Sequence, residues 1–264
     1  MTRFLGVLLL GCILSVASCD LGLLNDPIVV PYVDDEFHAE LWEVFTPQRR
    51  ELQLRLTTIE AVECLNASIE VEFRRLGDNE HKLSIKSILN PDNCQEGRAP
   101  ARRTVEVGEL SNGVYPLSIS LREAVESEGR IIVRDDFFRL YIDEGAGVLP
   151  LRNTLRRIPD GTIWGYISSE GGQGLGSAAE GFRSDLSSIA VPQALDDGHY
   201  GYFSIEDGSI DWEAVSEGEQ VLTAFQFFLP PEQEQAVKDL LENFRTQQSD
   251  SLSLQVFHTS GEDW

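Results

Sequence analysis

Histidine, cysteine, serine and a surplus of carboxylates are the side chains of this 264-residue sequence that could do chemistry. The four histidines are His38, His81, His199 and His258, and none lies close enough to another to make a paired ligand set. No His-Glu-x-x-His run occurs, so the helical zinc-hydrolase pattern is absent. Three histidines sit in or beside runs that read as strands and the fourth opens the first strand, which suits structural roles. The serine pattern Gly-x-Ser-x-Gly is missing too, because Gly176-Ser177-Ala178-Ala179 lacks its second glycine. A triad built from distant residues leaves no such trace, since it is defined by geometry.

Carboxylates are abundant. Asp and Glu number 44 against 21 Lys and Arg, a formal net charge of −23. Pairs able to hydrolyse a glycoside could be drawn from such a crowd anywhere, so spacing alone singles out none. The densest group is Glu206-Asp207-Gly208-Ser209-Ile210-Asp211-Trp212-Glu213. Oxygen ligands around a glycine turn could hold calcium, but the EF-hand pattern is incomplete and an acidic turn is expected. Gly171-Gly172-Gln173-Gly174-Leu175-Gly176 resembles a phosphate loop in composition only. It has no lysine, and from Glu170 onward the basic residues are Arg183, Lys238 and Arg245; a surface loop is expected there. No catalytic residue can be named, and neither cofactor nor metal is expected.

The sign of the charge excludes partners as well. No large basic face can be built to neutralise phosphates, which argues against nucleic acid, or to dock on anionic lipid. Lysine is scarce (Lys82, Lys86, Lys238), the other basic residues being arginine, a bias that accompanies salt-adapted, acid-rich proteomes. Dedicated cation binding is the other reading of the acidity.

The amino terminus reads as an address. Arg3 precedes an apolar run from Phe4 to Leu14 that is too short to span a bilayer. The run ends in Val16-Ala17-Ser18-Cys19, which resembles the lipobox of bacterial lipoproteins. That resemblance implies a signal peptide over 1–18, a diacylglycerol thioether on Cys19, and acylation (palmitate or a similar chain) of the new amino group. Each buried methylene contributes about 0.8 kcal/mol, so several chains anchor firmly in a membrane. Residues 19–36 read as a lipidated tether. Asp20 resembles an inner-membrane retention signal of enterobacteria. In Bacteroidota-like lineages the stretch after the cysteine instead influences surface export; the outer membrane is the expectation, with the leaflet open.

Cys12 would leave with the signal, so Cys64 and Cys94 remain. Outside the inner membrane thiols are oxidised, and an even pair favours a disulfide. Metal ligation is the alternative, although neither cysteine has a partner at Cys-x-x-Cys or Cys-x-His spacing.

Period-two alternation then predicts strands over 39–45, 52–60, 67–74, 81–89, 103–107, 114–121 and 130–142. Turn residues such as Gly77-Asp78-Asn79 and Asn90-Pro91 separate them. Glycine and proline interrupt the pattern at 145–150, which suggests a boundary. Beyond it strands are expected at 162–167, 199–205, 221–229 and 252–258, and a helix at 232–246 where Ala236, Val237, Leu240, Leu241 and Phe244 make one stripe. The expected fold is therefore mainly β with α+β. An antiparallel, immunoglobulin-like β-sandwich over 37–145 precedes a small α+β domain over 146–264.

The segment Leu110-Ser111-Asn112-Gly113-Val114-Tyr115-Pro116-Leu117-Ser118-Ile119 resembles a hairpin of many bacterial extracellular β-sandwich modules. With the lipobox, the Cys64/Cys94 pair and the run Arg157 to Tyr166, the chain resembles the uncharacterised two-part envelope lipoproteins of Bacteroidota. That resemblance implies location and fold and carries no catalytic residues.

The expected protein is a lipid-anchored, non-catalytic binding or structural module that contacts an envelope protein or glycan. An envelope hydrolase using carboxylates of the C-terminal part is the alternative. One candidate binding face emerges. In 162–167 the side chains of Ile163, Gly165 and Ile167 point one way, and Trp164 and Tyr166 the other. In 199–205, read as one strand, Tyr200 and Tyr202 share a side. If the aliphatic sides face the helix, Trp164, Tyr166, Tyr200 and Tyr202 form a second, aromatic face. It would serve as a ligand surface, a domain contact or a second core layer.

Overall fold

The structure is a computed structural model that describes residues 33–264 apart from 78, 171–174, 214, 216–217, 249–251 and 263. The expected signal peptide over 1–18, Cys19 and most of the expected tether over 19–36 lie outside the described residues, as do Gly171 to Gly174. The first strands are β1 (Val33–Phe45), β2 (Arg50–Thr58), β3 (Val62–Glu63), β4 (Ser68–Leu76), β5 (Glu80–Leu89) and β6 (Arg98–Ala99). Next come β7 (Arg102–Gly108), β8 (Gly113–Leu121), β9 (Val125–Val133), β10 (Phe137–Ile142), β11 (Ala146–Arg152) and β12 (Thr154–Arg156).

Alternation decides this part. In β2, Leu52, Leu54, Leu56 and Thr58 are buried at every second position and the residues between them stay half-buried. The same inward phase runs through Phe37, Ala39 and Leu41 of β1, Leu83 and Ile85 of β5, and Leu117, Ile119 and Leu121 of β8. Ten of the strands form one sheet in the order β11-β1-β2-β7-β4-β5-β8-β9-β10-β12. β7 and β4 meet at the bridge Ser68 to Arg102, and the sheet turns over there onto a single core. β11 lies against β8, β9 and β10 across that core.

Most pairings are antiparallel, as expected, but β1–β11, β4–β7 and β5–β8 are parallel. Side chains alternate in the same way in either direction, so the alternation carries no sign of it. The predicted strand 130–142 is in fact a hairpin. Arg134 N–H donates to the Phe137 carbonyl at 2.9 Å, and Asp135 and Asp136 sit in the turn between β9 and β10. The sheet also takes in β11, which runs through the glycine- and proline-rich interruption at 145–150, and β12 beyond it.

Cys64 and Cys94 are joined by a disulfide with Cα atoms 5.3 Å apart, inside the usual range. It ties the end of β3 to the loop before β6, beside the Val62–Ala99 and Glu63–Arg98 pairs.

The remainder is α+β. Its elements are β13 (Thr162–Ser169), α1 (Gly176–Ile189), β14 (Val191–Pro192), β15 (Gly198–His199), β16 (Phe203–Glu206) and β17 (Ser209–Trp212). Then follow β18 (Gln220–Phe228), a 3-10 turn at Pro231–Gln233, α2 (Glu234–Gln248) and β19 (Ser253–His258). The four-stranded sheet β14-β18-β13-β19 is antiparallel throughout, and β15-β16-β17 make a small sheet of their own. α2 stands where its stripe places it, with Val237 and Leu241 buried. α1 begins inside the stretch read as a loop. Ala179, Phe182 and Leu186 form its buried stripe, diluted for a sequence reader by Gly181 and four serines.

Candidate functional site

β13 is the central strand of its sheet, and its two faces serve different layers. Ile163 and Ile167 pack with Phe182 and Leu186 of α1 and Val237 and Leu241 of α2, so the aliphatic face meets the helices. Gly165 makes room for a neighbouring ring rather than for a helix. A Cβ there would stand 2.7 Å from the Phe225 ring and collide with the Gln255 carbonyl.

The opposite face carries Trp164 and Tyr166, and the structure sends these and the other two candidate aromatics to three different places. Trp164, only 1% exposed, is boxed by Phe45 of β1 at 5.3 Å, Phe257 of β19 at 5.8 Å and Tyr202 at 5.5 Å between ring centres. Tyr166 instead lies on Trp212 at 4.6 Å. Tyr200 stacks on Phe203 and donates its hydroxyl to the Asp196 carbonyl at 2.8 Å, and burial pushes its phenol up to about 12.

The reading of 199–205 as one strand is corrected here. Gly201 takes φ +84, Tyr200 N–H bonds the Phe203 carbonyl, and the chain reverses, so Tyr200 and Tyr202 no longer share a side. Trp164, Tyr166 and Tyr200 are therefore buried between the sheets instead of forming one open surface. Tyr202 is the half-buried member, and it also touches Trp42 at 5.2 Å. Burial raises its phenol pKa, against the pull of Trp42 and Arg55.

Around Trp164 and Tyr202 the box opens into a cleft of about 290 Å³. Phe45, the β19 residues Leu254–His258, Arg245, Glu262 and Trp264 complete its lining. Neither the Trp164 nor the Trp264 indole N–H has an acceptor among the described residues. A mixed wall of this kind, aromatic with a few polar tips, suits recognition more than proton transfer.

A second constellation, invisible to motif search, gathers Ser204, His199 and Glu213. His199 Nδ1 is 3.3 Å from the Ser204 hydroxyl and 3.2 Å from Glu213 Oε1, and the hydroxyl is 3.3 Å from the same carboxylate oxygen. In a catalytic triad the acid and the nucleophile hold opposite ring nitrogens. Here both crowd Nδ1, while Nε2 is buried without a partner among the described residues, so this arrangement does not activate the serine. Burial, with help from Arg152, lowers the His199 pKa to about 4 against the opposing pull of Glu213. Arg152 of β11 reaches Glu213 at 2.8 Å and Glu40 of β1 at 3.7 Å, so the cluster clasps the small sheet to the large one. Neither Ser204 nor Glu213 lies in a recognisable motif, and only tertiary pairing unites them.

The acidic group at 206–213 is the β16–β17 hairpin. Asp207 at φ +50 and Gly208 at φ +73 form its two-residue turn, the Asp-Gly signature of a primed turn. Among the described residues no group of three or more His, Cys, Asp or Glu is arranged to hold a metal ion. No helix among them is long and apolar enough to cross a membrane. No protein-family model, curated protein or solved structure matches the chain.

Proposed function

We propose that the chain is a lipid-anchored protein of the bacterial cell envelope, held in the outer membrane through Cys19. There it acts as a non-catalytic binding module for an envelope protein or glycan. The observation that carries the binding reading is the aromatic box. Phe45 of β1, Trp164 of β13, Phe257 of β19 and Tyr202 of the turn between β15 and β16 converge on one cleft, with Tyr202 left partly open. Rigid rings with polar tips give large contact area at small entropic cost. The anchor rests on Val16-Ala17-Ser18-Cys19 and the apolar run before it.

Two measurements test the reading. Mass spectrometry of protein extracted from its native membrane should find an acylated amino-terminal Cys19 peptide; a soluble product cleaved elsewhere removes the anchor. Tryptophan fluorescence titrated with neutral and acidic envelope oligosaccharides should respond in the wild type and weaken at least tenfold in Tyr202→Ala. If no oligosaccharide responds, photo-crosslinking from position 202 in intact envelopes should yield a discrete protein adduct. Silence in both ends the binding reading.

A further inference from the structure

The four-stranded sheet ends on one side in β14, which covers only Phe228 and Phe227 of β18. Among the described residues no strand continues along β18 from there. The phase of the open edge follows from the register. Leu229 N–H bonds the Gly161 carbonyl at 2.7 Å, and Ile163 opposes Phe227 as Gly165 opposes Phe225. Residues 225 and 227 therefore turn their backbone groups toward β13, and 224 and 226 turn theirs outward. The Gln226 carbonyl, 3.5 Å from the Gln193 N–H on the β14 side, agrees with that phase. Ala224 is left offering both its N–H and its carbonyl to the edge.

That edge is the floor of a groove of about 550 Å³. Ser184 and Ser187 of α1 stand over one face of it and Gly208 and Ile210 of the β16–β17 hairpin over the other. β14 fills one end, so the protein itself shows that a strand fits beside β18 and runs antiparallel to it. At that end the buried Gln226 Oε1 has no donor among the described residues. The cation of the lining, Arg183, is already paired with Glu180 at 3.0 Å. Asp207 is exposed in the turn beside Gly208, on a chain of net charge −23.

We infer that this groove takes an extended, basic segment of another protein, which adds to β18 as an antiparallel strand in line with β14. Main-chain bonds to Ala224 supply the attachment, and Lys or Arg side chains answer Asp207 and the net negative charge of the chain. The site is separate from the aromatic cleft and does not depend on it.

The test uses the full chain in detergent and a fluorescein-labelled decapeptide of alternating lysine and valine. Binding is expected, weakening as salt is raised, and at least tenfold weaker for a peptide N-methylated at alternate residues or for the glutamate–valine analogue. Ser184→Trp, on the exposed side of α1, blocks the groove without touching the core and should weaken binding at least tenfold. Ala224→Pro, which removes the outward N–H, should do the same, with its fold checked by thermal melting. The Ala224 amide should gain hydrogen-exchange protection when peptide is added. No binding up to millimolar peptide, equal binding of the N-methylated peptide, or full binding by Ser184→Trp overturns the inference. So does Ala224 protection that appears on self-association without peptide.

Discussion

Glu43 and Arg50 meet in a two-pronged ion pair, Nε to Oε1 at 3.0 Å and Nη2 to Oε2 at 2.7 Å, with the carboxylate only 4% exposed. Glu43 is buried because it continues the inward phase of Phe37, Ala39 and Leu41 along β1. Arg50 also donates to the Ile158 carbonyl at 2.7 Å and pairs with Asp160. Burial by itself would lower the guanidinium pKa, but the bonds to Glu43 and Asp160 hold it above its ordinary value. The pair thus fastens β1 and β2 to the strap that leads into β13.

Removing one partner strands the other. Arg50→Ala leaves a buried carboxylate with only Arg157 near it, at 3.8 Å, and should cost about 3–5 kcal/mol. The double variant Glu43→Leu/Arg50→Met should recover most of that loss. Urea unfolding of the three proteins decides it, and a double variant as weak as the single one contradicts the account.

The acid limb of stability should belong to histidines. His81 is fully buried between Phe73 and Tyr115 with both ring nitrogens unpartnered among the described residues, and burial, then Arg75, lowers its pKa. Its folded pKa lies below its unfolded one, so its contribution is complete above about pH 6.5 and is lost as pH falls toward the folded value. His199, lowered to about 4, behaves alike. His81→Leu should flatten the fall in stability between pH 7 and 5, read by urea midpoints at each pH. An unchanged slope contradicts the assignment.

The disulfide closes a sequence separation of 30 residues. In the chain-entropy model the Cys64→Ala/Cys94→Ala variant should lose about 3–4 kcal/mol. Thiol labelling of the unreduced, denatured protein should find neither cysteine free.

Trp164→Ala removes the buried centre of the aromatic box and should cost about 3–5 kcal/mol. Tyr202→Ala, at the half-buried rim, should cost clearly less while weakening ligand. Equal destabilisation by both, without loss of binding, would make the box core and nothing more.

What the residues disclosed in advance depended on how far their partners lie. The long strands β1, β2, β4, β5, β7 and β8 are legible because residues such as Leu52, Leu54 and Leu56, or Leu117, Ile119 and Leu121, repeat every second position, and α2 because its stripe is dense; the two-residue strands β3 and β6 are too short to show an alternation. α1 escaped notice because glycine and serine between Ala179, Phe182 and Leu186 disguise the stripe. The turn at Gly201 leaves no mark in the sequence because the residues around it alternate as a strand would. For the candidate site, the aromatic character of Trp164 and Tyr202 was visible. Their closure by Phe45 and Phe257 was not, since β1 and β19 come from opposite ends of the described chain. The Ser204, His199 and Glu213 cluster is likewise a product of tertiary pairing alone.

The parallel pairing of β1 with β11 has a consequence for how the protein is born. β1 is flanked by β2 on one side and by Ala146–Arg152 on the other, with Phe37 opposite Val148 and His38 opposite Leu149. As the polypeptide emerges amino terminus first, β1 must wait with a naked edge until that late segment arrives. A chain cut after residue 145 would keep every strand of the predicted sandwich and still expose that edge, a template for joining neighbouring copies. Such a fragment should be sticky and slow to mature, and the natural unit of folding runs past the place where the sequence pauses.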